Sequence, residues 1–330
     1  MKHPAVSVVR SARLTYHSGN RISIMCGITG IFDIKADRVI NESLLNIMRD
    51  RLVHRGPDEA GTFIEPGIGL AHRRLSIIDL SSGQQPLKHD SLPITIVFNG
   101  EIYNFQQVRE QLKTKGHLFQ TTSDTEVIVN AWVEWGEQCV DHLRGMFAFA
   151  LWDARQQTLF CARDRLGVKP FLYYISEDGF FVFASEHKAL LEYPGIPLEI
   201  NPRSVECFFA LGYIADPESI YTSIRKLPAG HTLTLKKNQS AEIKAYWDLP
   251  FTDQRLAPAE AKRELYQRLT EATQLRLISE VPLGAFLSGG VDSSTVVAIM
   301  SELQNTPVKT CSIGFDDPKF NESEFANEVA

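Results

Sequence analysis

No stretch of this sequence approaches the roughly 20 consecutive apolar residues that a spanning helix needs, which leaves a membrane helix out of the reading. No long run of Lys or Arg appears in a chain of net charge −6, so nucleic acid and anionic membranes are poor partners. Cysteine is scarce. The five (Cys26, Cys139, Cys161, Cys207 and Cys311) are odd in number, widely spaced and without a CxxC pair. That pattern excludes a disulfide framework and a CxxC zinc site, and it suits a reducing, cytoplasmic compartment. Four of them read as small buried apolar residues, with Cys26 set apart. The usual phosphate loop, GxxxxGK[ST], is absent, as are internal repeats and low-complexity segments. Residues 1–24 contain no Asp or Glu; the first acid is Asp33. They carry Lys2, Arg10, Arg13, Arg21 and four serines without core periodicity. Residues 1–25 therefore read as an unstructured leader or a mis-called start.

What is present is a core-forming composition, 44% hydrophobic over 330 residues, enough for two domains. From Met25 the texture is strand-rich. CGITGIFD alternates as a strand does, and a helix is expected from Asn41 with Leu44, Leu45, Met48 and Leu52 on one face. LPITIVFNG reads as a strand ending in a turn, and NFQQVREQLKTKG as a helix closed by Gly116. Ser123 and Glu126 read as a capping box for a helix from about Asp124. GMFAFALWD, TLFCARD and GFFVFAS are further strands. These observations make residues 26–215 an α+β domain. The proline-bearing residues 216–257 read as a connecting segment. From Pro258 the order is helix, buried strand VPLGAFL, helix, strand VKTCSIGF and a last helix from Asn321, the signature of a parallel α/β sheet. Residues 258–330 are expected to be an incomplete part of that domain, since two strands cannot bury both faces of a sheet.

The stretch LSGGVDSST, residues 287–295, lies between strand and helix. Gly289 and Gly290 let backbone amides approach a ligand, the helix N-terminus favours an anion, and Ser288, Ser293 and Ser294 add hydroxyls. Asp292 is placed to hold a magnesium ion on phosphates. The plain alternative is a glycine turn. The loop resembles the SGGxDS pyrophosphate loop of the family that cleaves ATP to AMP and pyrophosphate. That resemblance implies backbone contacts to adenine from Leu287 and from Ile313 in CSIGF.

CGITG by itself is a weak motif. It is followed by HRGPD at 54–58, AHRRLSIID at 71–79, FNGEIYN at 98–104 and TSDTEVI at 122–128. In this order the motifs resemble the class II glutamine amidotransferase domain, whose nucleophile is an N-terminal cysteine. With the pyrophosphate loop and RDRLGVKPFLYY at 163–174, the chain resembles the glutamine-hydrolysing asparagine synthetase family. The resemblance implies an Ntn-hydrolase-like αββα sandwich followed by an adenylating α/β domain. It assigns the glutamine carboxylate to Arg74 and its ammonium to Asp124, with adjacent Arg73 a surface charge. Asn99 and Gly100 become oxyanion donors, although Asn-Gly alone would read as a hairpin turn. Leu75, Ile77 and Glu101 line the pocket. Cys26 attacks as a thiolate, forming a thioester, and its own α-amine is the base; lone histidines such as His54 and His72 are more often structural. That base exists only if Cys26 is residue one.

The implied substrates are L-glutamine, L-aspartate and ATP, with Mg2+ as the metal, an internal passage for ammonia, and a homodimer as one assembly. Two other readings stay open. One is a related enzyme amidating another carboxylate, as in surface-polysaccharide synthesis. The other is a non-catalytic remnant.

Overall fold

The computed structural model describes residues 25–76, 79, 82–251 and 255–330, together with the two-residue strand Ser7–Val8. The chain divides into two compact units, Arg21–Pro250 and a second made of Met1–Asn20 with Phe251–Ala330. Among the described residues no helix is long and apolar enough to cross a membrane.

The larger unit holds two six-stranded antiparallel sheets. In the first, Gly27–Asp33 lies between Phe180–Ala184 and Ile68–Arg74, with Leu172–Ile175, Arg225–Lys226 and Glu59–Glu65 outside. In the second, Gly145–Asp153 lies between Thr158–Arg163 and Ile94–Ile102, with His231–Lys236, Glu242–Ala245 and Leu87–Lys88 outside. Alternating apolar residues give each sheet two packed faces. Phe32, Leu70 and Phe183 meet Val97, Ala150 and Leu159 between the sheets. Helices Phe105–Thr114 and Asp124–Trp135 cover the outer face of the second sheet through Val108, Leu112, Ile128 and Trp132. Glu42–Asp50 covers the first sheet through Leu45 and Met48. Three apolar layers thus separate four structural layers, helix, sheet, sheet, helix, which is the αββα sandwich expected.

Several local expectations are modified. Asn41 caps the first helix through its side chain, 3.1 Å from the Leu44 N–H, with the helix running from Glu42. Asn99 and Gly100 do not form a turn: the strand continues through them to Ile102, paired with Ala148 and Phe147. Ser123 caps the Thr125 N–H at 3.1 Å, but Glu126 does not close a capping box. Its carboxylate ties down the N–H groups of Gln120 and Thr121 at 2.7 and 2.8 Å. The unit also extends past residue 215. Residues 225–245 are not a connector, because three of their segments are strands and Leu227, Leu233 and Leu235 are buried between the sheets.

In the smaller unit, helices Pro258–Leu275 and Val291–Leu303 accompany parallel strands Ala285–Phe286 and Lys309–Cys311. The expected buried strand VPLGAFL is reduced to two residues, and Phe286 is exposed. Ser7–Val8 runs parallel to Lys309–Thr310, which differs from the unstructured segment expected at those two positions; the rest of residues 1–24 lies outside the described residues.

Candidate active site

Cys26 stands immediately before the central strand Gly27–Asp33, so the hydrogen bonds of both neighbouring strands fix where it points. A cavity of about 230 Å³ opens beside it. It is lined by seven of the residues singled out in the sequence: Cys26, Arg74, Leu75, Asn99, Gly100, Glu101 and Asp124. Ile77 lies outside the described residues.

The thiol accepts the Leu75 N–H at 3.3 Å and faces the Leu75 carbonyl at 3.6 Å. Burial pushes the thiol above its ordinary value, while the Leu75 N–H and the positive charges of Arg74 and Lys169 pull it down. Arg74 ends the strand beside Cys26 and is nearly buried, with Nη1 3.0 Å from Glu59 and Nη2 2.5 Å from the Asp79 carbonyl. A Cβ on Gly83 would stand 2.5 Å from Arg74 Nη2, so the absence of a side chain at 83 makes room for the guanidinium. Arg73, expected at the surface, is largely covered and donates to the Gly56 carbonyl at 2.9 Å.

Strand Ile94–Ile102 supplies the other wall. Its neighbour Leu87–Lys88 pairs only with Thr95 and Ile96, so the outward N–H groups beyond them have no strand partner. Side chains take two of them: Gln85 accepts from Phe98 at 2.6 Å, and Asp124 from Ile102 at 2.9 Å. Strand alternation turns the Gly100 N–H to the same side, between those two, toward the cavity. The Asn99 side chain is 0% exposed, and neither its Nδ2 nor its Oδ1 has a hydrogen-bond partner among the described residues. A buried primary amide with both ends unsatisfied is costly unless a ligand completes it. Asp124 opens the helix Asp124–Trp135 with its carboxyl pushed up to about 6, chiefly by burial and further by Glu101. Among the described residues no cation forms an ion pair with that carboxylate, and a bound ammonium would supply one.

Neither histidine weighed as a base serves the thiol. His72 donates Nε2–H to the Phe98 carbonyl at 3.0 Å, and burial pushes it down to about 3. His54 contacts Glu186 and Lys188 at 3.0 Å. Two cations that sequence reading passed over approach the nucleophile: Arg55 donates to the Cys26 carbonyl at 2.9 Å, and Lys169 lines the cavity. HRGPD and RDRLGVK were visible as motifs, but nothing local says which of their cations turns inward.

In the smaller unit Gly290 caps helix Val291–Leu303. Gly289 has φ +82°, and a Cβ there would stand 2.4 Å from Phe325 backbone, so glycine is required. The Ser288 and Ser293 hydroxyls lie 3.0 Å apart, Ser294 Oγ is buried without a partner, and Asp292 is exposed. The Leu287 N–H donates to the Cys311 carbonyl at 2.9 Å, and Ile313 is exposed.

Comparison with known proteins supports the same division. Residues 264–330 match the asparagine synthase family. Asparagine synthetase (glutamine-hydrolysing) 3 of Bacillus subtilis is 39% identical over 315 residues, covering 91% of this chain and 50% of the relative. The enzyme numbered 1 from the same organism is 35% identical, covering 93% and 48%. The chain thus spans about half the length of these relatives. Among solved structures, B. subtilis glutamine PRPP amidotransferase shares the fold at a TM-score of 0.50 and 17% identity, over 86% of this chain and 65% of that one. Residues 25–247, with Cys26 and the whole αββα sandwich, match the glutamine amidotransferase domain, and the chain belongs to that family.

Proposed function

We propose that the chain hydrolyses glutamine at Cys26 as the ammonia-supplying part of a glutamine-dependent asparagine synthetase. The observation that carries this reading is the buried, unpartnered Asn99 amide beside the Gly100 N–H, in the cavity that holds Cys26. Arg74 takes the substrate carboxylate and Asp124 the ammonium, which sets the side-chain amide toward the thiol. The Cys26 thiolate attacks the amide carbon. Asn99 Nδ2–H and the Gly100 N–H receive the developing oxyanion. Ammonia leaves with a proton returned by the base, and water then hydrolyses the thioester to glutamate.

The base is the free α-amine of Cys26, whose reference pKa of about 7.7–8.0 leaves part of it unprotonated at neutral pH. While Met25 is attached this nitrogen is an amide with no basic lone pair. Met25 also lines the cavity. The working form therefore begins at Cys26. In the second unit ATP phosphates would meet the N-terminus of the helix Val291–Leu303, with Ser288, Ser293 and Gly290 around them, and Asp292 would share Mg2+ with their oxygens. ATP there would activate the aspartate side chain as an adenylate with release of pyrophosphate, and ammonia would then displace AMP to give the amide.

Glutamate release from glutamine tests the first half. The Cys26-initiated chain should release glutamate, and the Met1-initiated chain and Cys26→Ala should not. A Cys26-initiated chain no faster than Cys26→Ala overturns the reading. Full activity with residues 1–25 attached overturns the α-amine as base.

A further inference from the structure

The motif RDRLGVKPFLYY has no part in the chemistry above, yet its start is held unusually firmly. The buried Asp164 carboxylate accepts the N–H groups of Phe147, Leu166, Val168 and Lys169 at 2.9–3.2 Å. The Arg163 guanidinium donates to the carbonyls of Gly167, Lys169 and Leu227 at 2.6–2.9 Å and to Asp216 at 2.8 Å. Both peptide groups of Lys169 are therefore pinned, its N–H by Asp164 and its carbonyl by Arg163. What this fixes is a lysine only 2% exposed that lines the Cys26 cavity. Its ammonium donates to the Met25 thioether. A thioether is a weak acceptor, and a buried cation needs an anion nearby.

The charged groups around it come from four places. Glu101 faces Lys169 from the strand Ile94–Ile102, Arg55 from the turn after the first helix, Asp164 from its own loop, and Cys26 across the cavity. Cys26 in turn faces Arg74 and Asp124. Arg74 is held by Glu59 and Asp79, and Arg55 by the Cys26 carbonyl and Glu186. Lys169 alone of these three cations has a thioether where the others have oxygen acceptors.

We propose that Lys169 is the cation that stabilises the Cys26 thiolate, held in place for that task by Arg163 and Asp164; the proposal rests on the reading of Cys26 as the nucleophile. Removal of Met25 takes away the thioether and leaves the ammonium to the thiolate and Glu101.

The test is the pH dependence of Cys26 alkylation by iodoacetamide, followed at the Cys26 peptide by mass spectrometry in the long and Cys26-initiated chains. Losing a cation favours the thiol, so the midpoint in Lys169→Met should rise by about one unit or more, with rates converging at high pH. Lys169→Arg keeps the charge and should stay within about half a unit of the parent on the same reasoning. A Lys169→Met protein that melts like the parent and keeps its midpoint overturns the proposal. So does a Lys169→Arg midpoint raised well beyond half a unit. Alkylation needs no glutamine. A Cys26-initiated parent chain that releases no glutamate, yet shows the Lys169-dependent midpoint, overturns the glutaminase reading and leaves the thiolate contact standing.

Discussion

Asn99 and Asp124 are both incomplete in the free protein, and each incompleteness has a measurable consequence. Asn99→Ala removes the donor proposed to act only on the oxyanion. Glutamine hydrolysis should lose roughly 10²- to 10³-fold in kcat with little change in KM. Its melting temperature should not fall, since the amide removed has no partner in the fold. Asp124 titrates at about 6, above the ordinary carboxylate range. In the proposed site the ammonium of glutamine binds the ionised form. Affinity measured calorimetrically on Cys26→Ala should hold above that pH and drop about tenfold per unit below it; a flat profile down to pH 5 would remove Asp124 from the pocket. At this scale the sequence was informative where a residue belonged to a motif with one chemical use, as with Cys26, Arg74 and Asp124. It misled at Asn99-Gly100, which reads as a turn locally and is a strand because Gly145–Asp153 pairs across it. It was silent on Lys169, whose burial depends on Asp164 and Arg163 folding the loop inward.

The two short elements that end at Arg74 and begin at Asp124 are joined by Asp79. Its carbonyl accepts from Arg74, and its carboxylate accepts the Ser82 and Thr122 N–H groups at 2.8 and 2.9 Å. The two residues proposed to meet the substrate's charges are thereby held by one clip. Gly83 completes the same loop. Gly83→Ala places a methyl 2.5 Å from Arg74 Nη2 without deleting any functional side chain. The expected result is a rise in glutamine KM of roughly 10- to 150-fold, the worth of one charge-assisted hydrogen bond, with kcat largely kept. Unchanged KM would show that Arg74 is not held by this loop. Helix positions were legible because caps and apolar periodicity are local signals. The domain end was not. Prolines made residues 216–257 look like a connector, although HTLTLK alternates apolar residues as a strand should. Its pairing with Thr158–Arg163 is a contact between segments distant in the chain.

At the scale of the whole chain, the proposed function assigns separate chemistry to the two compact units. Asp292→Asn should leave glutamate release within about twofold of the parent, well under the tenfold step worth 1.4 kcal/mol. In a chain carried to the length of the Bacillus subtilis relatives, the same change should abolish ATP–pyrophosphate exchange. Normal exchange would make Asp292 a loop residue with no metal to hold.

The larger unit's sheets both stay open, so among the described residues each ends in two edge strands. Arg225–Lys226 and Leu87–Lys88 are two residues long, and Glu59–Glu65 begins and ends in acid. Glu242–Ala245 is exposed along its length and carries a Glu242–Lys244 ion pair of 3.0 Å. Alternating charge on a rim discourages another molecule from adding a strand there. Replacing both charges, Glu242→Val with Lys244→Val, leaves a bare aliphatic rim on an otherwise unchanged fold. Light scattering should then show concentration-dependent aggregation, while dilute samples still release glutamate at the parent rate per chain. The pair's service to the molecule is colloidal: it keeps neighbouring copies from zipping together.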